Sequence, residues 1–330
     1  MGISGQTRKK NVRRPFSRII PIVSSVLLVA CTRTCVGNPE LGSRKFPVRF
    51  SLGTQGRPQP EALESISNCI ESAVGFRVRF EVAADEKAAA AALGRGEAHF
   101  SYLSSLSYVA AAAKYELAVH RVRLESGAPA VRSVILGFKK TWAEHLASQK
   151  ISMTAAGLRS ENALDIIENG RFLFVHPESD VGFFVPRALL FQRNVFPSEA
   201  AFAGSDELVL QGLERGLGVA GALSESWLRQ RFSIVQPVRP GLVVNDFLVI
   251  DVSPSLPGKV VVSRRDLPQR VQTAVIKGLD ICSKDNNAAL MTSVFGGDAF
   301  GSVSERVFSY VRELYEVQET FLRVLVPREQ

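Results

Sequence analysis

From residue 46 onward, short runs rich in Val, Phe and Leu alternate with stretches of helical period, and this alternation narrows the chain to one fold class. FPVRFSL (46–52) alternates apolar with polar side chains, the pattern of a strand with one buried face. After the turn GTQGRPQP, the segment EALESISNCIESAVG places its apolar residues at helical spacing and ends on Gly75, a natural C-cap. FRVRFEVA reads as a second strand and AHFSYL as a third. Between them DEKAAAAALGRG is a short helix with acids in its first turn, where the helix dipole favours them, and SLSYVAAAAKY is a third helix. Such alternation produces parallel strands joined by crossover helices, an α/β architecture.

The second half continues the pattern. VRSVILGFKKTW (131–142) reads as a longer strand. NGRFLFVHPESDVGFFVPRALLFQRN gives strand, loop and helix, and ELVLQGLERGLGVAGAL gives helix, Gly-rich turn and strand. DFLVIDVSP and GKVVVSR are strands, and two amphipathic helices, LPQRVQTAVIKGLDICSK and VSERVFSYVRELYEVQETFLRVL, close the chain. No internal repeat is legible.

The first segment stands apart. A basic stretch, TRKKNVRRPFSR, precedes an apolar run too short to span a bilayer as a mature helix, the layout of a secretory signal. Leu27, Leu28, Val29, Ala30 and Cys31 resemble a bacterial lipobox, which implies cleavage before Cys31, a lipid on its thiol and an anchored mature protein. An ordinary signal peptide or an uncleaved anchor is the alternative. Thr32, not Asp, follows the cysteine, which leans toward outer-membrane sorting where the envelope has two membranes. Of the formal net charge of +8, residues 1–30 carry six Lys or Arg and no acid, leaving 8 − 6 = +2 for the mature chain. The basic character therefore belongs to the signal, and no nucleic-acid partner is expected.

Of the four cysteines, Cys35 sits in the tether TRTCVGNPELGSRK, and Cys69 and Cys282 each fall on a helical segment. Outside the cytoplasm that pair has the chance to form a disulfide, and two buried free thiols is the slightly preferred reading. No cysteine or histidine spacing suits zinc, so neither a metal nor a cofactor is expected.

Five stretches, taken in order, resemble the phosphate/phosphonate-type (PhnD-like) substrate-binding lipoproteins of ABC transporters: ALGRGEAHFSYLSSLSYVAAA (92–112), FVHPESDVGFFVPRALL (174–190), FAGSDELVLQGLERGLGVAGAL (202–223), SPSLPGKVVVSRRDLP (253–268) and FSYVRELY (308–315). The resemblance implies a type II periplasmic-binding-protein fold: two α/β lobes joined by two crossing strands, with the ligand cleft between them and closure by hinge motion. It divides the chain into a signal peptide (1–30), a tether (31–45), a first lobe from 46–136 plus 252–330 and a second from 137–251, with crossings near 134–138 and 245–252. The implied partners are a small-molecule ligand, an ABC permease in the cytoplasmic membrane, and the membrane itself through Cys31.

A phosphonate is a compact dianion, and helix N-termini and consecutive hydroxyls supply the donors it needs. The family's Ser-Thr-Ser-Gly turn corresponds here to Ser179, Asp180, Val181 and Gly182, so two hydroxyls have become a carboxylate and an isopropyl group. Its Gly-Ser-His-Asp segment corresponds to Gly204, Ser205, Asp206 and Glu207, with an acid in place of the histidine. Either Asp180 and Asp206 face the ligand, or each caps its helix. Two more family acids are replaced by His99 and Val219, the first read as a structural substitute. Tyr102 and Tyr108 stand where tyrosines line the cleft in such proteins, with core packing as the alternative for Tyr108. Ser104 and Ser105 before the third helix add donors, and Thr54 and Gln55 fall in a cleft-edge loop.

The expected ligand set is thus Tyr102, Ser105, Tyr108, Ser179, Asp180, Asp206, Thr54 and Gln55. The four histidines are far apart, and no HExxH pair, nucleophile elbow or P-loop occurs, so an enzyme is not expected. The reading is an extracytoplasmic solute-binding protein whose ligand has shifted from phosphonate toward a zwitterionic, cationic or neutral solute. The alternative is a lipid-anchored sensor or surface-interaction protein that kept the fold without transport.

Overall fold

The computed structural model describes residues 40–53, 58–124, 127–148, 166–284, 287–297 and 299–325; Cys31 of the lipobox, and Thr54 and Gln55, lie outside them. The strands are β1 (Val48–Leu52), β2 (Val78–Val82), β3 (Phe100–Leu103), β4 (Leu117–Leu124), β5 (Ala130–Val131), β6 (Ser133–Phe138), β7 (Arg171–Phe174), β8 (Glu199–Phe202), β9 (Ala220–Ser224), β10 (Val243–Val244), β11 (Phe247–Val252), β12 (Leu256–Pro257), β13 (Val260–Arg264) and β14 (Ala299–Ser302). The helices are α1 (Pro60–Val74), α2 (Glu86–Gly94), α3 (Ser105–Ala112), α4 (Lys139–Ser148), α5 (Val185–Gln192), α6 (Asp206–Glu214), α7 (Glu225–Arg231), α8 (Gln269–Cys282), α9 (Ala288–Phe295) and α10 (Ser309–Leu325).

Two six-stranded mixed sheets, ordered β14-β4-β13-β3-β1-β2 and β10-β11-β6-β9-β7-β8, hold twelve of these strands, and β5 and β12 pair antiparallel as a small two-stranded sheet. In the first, β2, β1 and β3 run parallel, and β13 and β4 extend the sheet antiparallel. In the second, β8, β7 and β9 run parallel, and β6 joins β9 antiparallel. The period-two alternation of the second sheet is visible in its cores. Ile135, Phe172 and Phe174 face one cluster, and Val134, Leu136, Leu173 and Val175 face the other. The first sheet likewise has α1, α8 and α9 on one face and α2, α3 and α10 on the other. Val185, Ala188 and Leu189 of α5 pack into this second cluster against Phe308 and Val311, so apolar contact joins the two halves beside the cleft.

The chain passes between the sheets twice, at residues 131–133 and 252–256. There the Ser253 amide donates to the Ser133 carbonyl at 2.9 Å, and the Ser133 amide returns to the Ser253 hydroxyl at 2.9 Å. Next to this crossing the Arg132 guanidinium grips the buried Glu225 carboxylate with two 2.5 Å bonds.

Three sequence expectations change. The strand read over 131–142 ends at Phe138, and Lys139 starts α4. The reason is Trp142, fully buried, whose indole N–H reaches the Val219 carbonyl at 2.6 Å and so pulls the chain out of the strand. Cys69 and Cys282 form a disulfide, with Cα atoms 6.0 Å apart, rather than two buried thiols; α1 and α8 lie side by side on the first sheet and bring them together.

The third concerns the crossings, expected near 134–138 and 245–252: those residues are strands β6 and β11 of the second sheet, and the chain crosses just before the one and just after the other. RGEAHFSYLS (95–104) and RGLGVAGALS (215–224) share a local arrangement: a left-handed glycine (Gly96 at φ 75°, Gly216 at φ 70°), a strand, and a serine that caps the next helix. The side chains differ because the two strands pack in different cores.

Candidate functional site

Parallel strands of an open α/β sheet bring their following loops to one edge, and ligands bind there. Here the loops after β2, β3, β7 and β9 meet around a cavity of about 220 Å³ between the two sheets. Glu86, Ser104 and Lys259 line it from the first half, and Glu178, Ser179, Asp180 and Ser224 from the second. A larger cavity of about 340 Å³, walled by six phenylalanines and Arg187, lies on the far side of the turn that carries Asp180. Of these two the smaller collects the polar groups; a third cavity, beside the crossings, is lined by Arg193, Asp251 and Tyr310 but not by the strand-end loops that carry Asp180.

The first-half wall is built on helix starts. Gly53 ends β1 against α2; a Cβ there would stand 2.6 Å from the Glu86 Cα, so glycine is required. Asp85 caps α2 by accepting the Ala88 amide at 2.6 Å. The next residue, Glu86, reaches outward: one carboxylate oxygen accepts the Ser104 amide at 2.9 Å and the other pairs with Lys259 Nζ at 2.7 Å. Ser104 caps α3 through the Ser107 amide, which leaves the Leu106 N–H facing the cleft.

The second-half wall is the stretch HPESDVGFFVP. The Ser179 hydroxyl accepts the Gly182 amide at 2.9 Å, and the Phe184 amide bonds back to the Ser179 carbonyl five residues earlier at 3.1 Å. The segment Asp180–Phe184 is thus a single π-helical turn leading into α5. A Cβ on Gly182 would lie 2.6 Å from Val175 Cβ and 2.8 Å from Ser179 Oγ, so the turn closes only with glycine.

Ser179, not Asp180, is therefore the cap, and Asp180 is left to reach across the cavity. Its Oδ2 accepts from the Ser105 hydroxyl and from the Leu106 amide of α3, each at 3.4 Å. Burial, first, and the nearby Glu86 carboxylate, second, push its carboxyl up to about 6 against an ordinary 3.8, with the Leu106 amide, Ser104 and Lys259 opposing. At neutral pH the group is ionised, in a place that disfavours further negative charge.

Asp206 repeats the role of Glu86. Each is the first residue of its helix, and each accepts the amide of the serine 18 positions later: Ser104 for Glu86, and Ser224 for Asp206, at 2.7 Å. The cap of α6 is Ser205, through the Leu208 amide. Asp206 thus stands one shell behind the cavity and braces Ser224, which lines it.

The two tyrosines lie elsewhere. Tyr102 is 1% exposed and donates its hydroxyl to the Phe295 carbonyl at 2.6 Å, packed edge-on against that ring. Tyr108 is also 1% exposed, bonds Glu305 and packs on Phe308; burial, then Glu305, raise its phenol. Both rings pack in the first-half cores, and Tyr102 reaches the cavity only indirectly, with Lys259 Nζ 5.7 Å from the centre of its ring. Ser105 and Asp180, in contrast, are brought together across it. His99 accepts the Arg49 amide at 2.9 Å and braces the start of β3, as a structural substitute would. Glu86, Glu178, Ser224 and Lys259 were not singled out in the sequence; an acid at the first position of a helix was the one available signal. Among the described residues no cluster of His, Cys, Asp or Glu suits a metal ion.

Solved structures with the same fold include XAC2383 from Xanthomonas citri bound to ATP, at 16% identity over 84% of this chain and 98% of that one, with a TM-score of 0.62. PhnD1 from Prochlorococcus marinus in complex with methylphosphonate is similar at 15% identity over 86% and 99%, with a TM-score of 0.58. A binding protein component of an ABC phosphonate transporter from Pseudomonas aeruginosa follows at 16% identity over 84% and 88%, with a TM-score of 0.55. These likenesses establish the type II periplasmic-binding fold. No curated protein matches the sequence. The family model described as "ABC transporter, phosphonate, periplasmic substrate-binding protein" matches residues 58–308, three-quarters of the chain, with both cleft walls inside the match. The chain belongs to this family of extracytoplasmic solute-binding proteins, which capture small molecules for an ABC permease.

Proposed function

We propose that this chain is a lipid-anchored receptor, tethered at Cys31, whose cleft captures a small zwitterionic, cationic or neutral solute rather than an unsubstituted phosphorus oxyanion. The lobes are the two halves built on the two sheets, divided at the crossings near residues 132 and 253, and they close over the solute by bending there. The observation that carries the reading is Asp180: a carboxylate in the cavity wall, with Glu86 on the same lining. Two like unit charges 4 Å apart near a protein surface repel by roughly 4 kcal/mol. A dianion entering this cavity meets that cost, whereas an ammonium group meets Asp180 and Glu178 as partners. A volume of about 220 Å³ suits a solute of few heavy atoms. Lipid anchoring rests on the stretch LLVAC at residues 27–31.

Calorimetric titration tests the ligand class. Phosphate and phosphite are expected to bind weakly or not at all, and micromolar binding of either refutes the reading. Mass spectrometry of the protein purified without denaturation identifies a retained solute. Labelled-lipid incorporation that survives Cys31→Ala would refute the anchor.

A further inference from the structure

Asp180 does more than add charge to a wall. Its loop belongs to the second sheet, yet its carboxylate is received by the first turn of α3, which belongs to the first. The Leu106 amide and the Ser105 hydroxyl are the donors a free oxyanion would use there. Ser105 is 1% exposed and Ser104 is 5% exposed, so both are fixed by packing rather than recruited by a ligand.

We propose that Asp180 is the specificity-determining residue of the cleft, a tethered anion that occupies the α3 N-terminus from across the cavity and excludes free oxyanions from it. This rests on the solute-binding reading above. Three carboxylates face this space, counting Asp180, and the two cations beside it are each engaged by other groups. From α2, Glu86 adds a second negative charge; from the segment before β13, Lys259 is engaged by Glu86 at 2.7 Å; from the loop of Asp180 itself, Glu178 adds a third carboxylate. From the end of β4, Arg123 lines the same cavity and donates to the Gly296 carbonyl at 3.1 Å. The remaining neighbours, Ser104, Ser105 and Ser224, are neutral hydroxyls. With Asp180 removed, the α3 amide and two serines would face an empty space of anion size, with Lys259 and Arg123 on the same wall.

The test is titration of methylphosphonate and inorganic phosphate into wild type, Asp180→Ser and Asp180→Asn at pH 7.5. Asp180→Ser vacates the position and is expected to gain about tenfold or more in affinity for both anions, the effect of removing a near like charge. Asp180→Asn keeps the side-chain volume and reads charge alone, so it is expected to gain less. Circular dichroism and melting confirm that each variant is folded. If the Ser variant does not fold, the Asn variant decides. No gain over wild type in the folded variants overturns the proposal, as does wild-type binding equal to theirs. The two readings fail separately. A wild type that binds no amine or zwitterion, with a Ser variant that gains oxyanions, sinks the solute class and keeps Asp180 in its role. A wild type that binds such solutes, with variants that gain nothing, does the reverse.

Discussion

Neutralising Asp180 by Asp180→Asn should stabilise the protein at neutral pH and do nothing in acid. The native carboxyl titrates at about 6, against 3.8 for the ordinary group, first because it is buried and second because Glu86 is close. Between those two values the native state holds a proton that the unfolded chain has lost. Native stability therefore falls as the pH rises through this window and stays lower above it. A difference of about two units at 1.36 kcal/mol each makes the penalty about 3 kcal/mol at pH 7.5. Asparagine has similar volume and keeps an acceptor oxygen for Ser105 and the Leu106 amide, so it should remove the penalty without opening a hole. Urea unfolding of both proteins at pH 7.5 and near pH 4 measures it. Carboxylates remote from residue 180 cancel in the difference, which therefore reads residue 180 together with its coupling to Glu86. The variant should lead by about 3 kcal/mol at the higher pH and by nearly nothing at the lower. A difference that does not change with pH, or a variant that is weaker at pH 7.5, would refute the burial-and-Glu86 argument.

Other substitutions probe the remaining parts. The Cys69–Cys282 bridge spans 213 residues, and loop-closure entropy sets an upper value of about 5 kcal/mol; reduction or Cys282→Ala should lower the unfolding midpoint, and unchanged melts would count against the bridge. Gly182→Ala drives a methyl into Val175 and Ser179 and should cost roughly 1–3 kcal/mol in a denaturation curve. Tyr102→Phe strands the Phe295 carbonyl at about 1–3 kcal/mol and should leave solute affinity unchanged; lost affinity at full stability would place Tyr102 in the cleft after all. Asp206→Ala should lose both stability and affinity by freeing Ser224, and Asp206→Asn, which keeps the acceptor, should lose little of either; equal loss of affinity in the two would mean that its charge contacts the solute.

The α/β class was legible because it depends on periodicity, which single residues barely disturb. Val48, Phe50 and Leu52 all fall in one core cluster, and Gly75 ends α1 in the left-handed region at φ 73° as its type demands. What periodicity misses is a side chain that overrides it. KKTW continues a strand pattern on paper, but burying Trp142 under the second sheet outweighs strand propensity and starts a helix. The arrangement shared by 95–104 and 215–224 escaped for a related reason. Its two copies share backbone geometry and a cap-and-brace arrangement, whereas sequence comparison weighs the side chains, which answer to different cores. The candidate site was half legible. Ser105 and Asp180 do meet, but Tyr102 and Tyr108 were assigned to the cleft by analogy of position, and the orientation of a ring on a strand or helix depends on a register that sequence alone does not supply.

The loop at 176–186 shows why fold and ligand separate so cleanly in this chain. Ser179 and Gly182 are engaged by backbone alone: one hydroxyl caps the turn, and one missing Cβ lets it close on Val175. Exchanging either threatens the fold, so resemblance to the family persists there. Asp180 and Val181 carry no backbone bond through their side chains within the turn, and both face the cavity. A change at these positions leaves the turn intact and alters only what the cavity accepts. The same division holds on the other wall, where Ser104 caps α3 while the Leu106 amide beside it receives whatever anion is present. In this chain that anion is the protein's own, so the family's architecture is kept and the position at the α3 N-terminus is already taken.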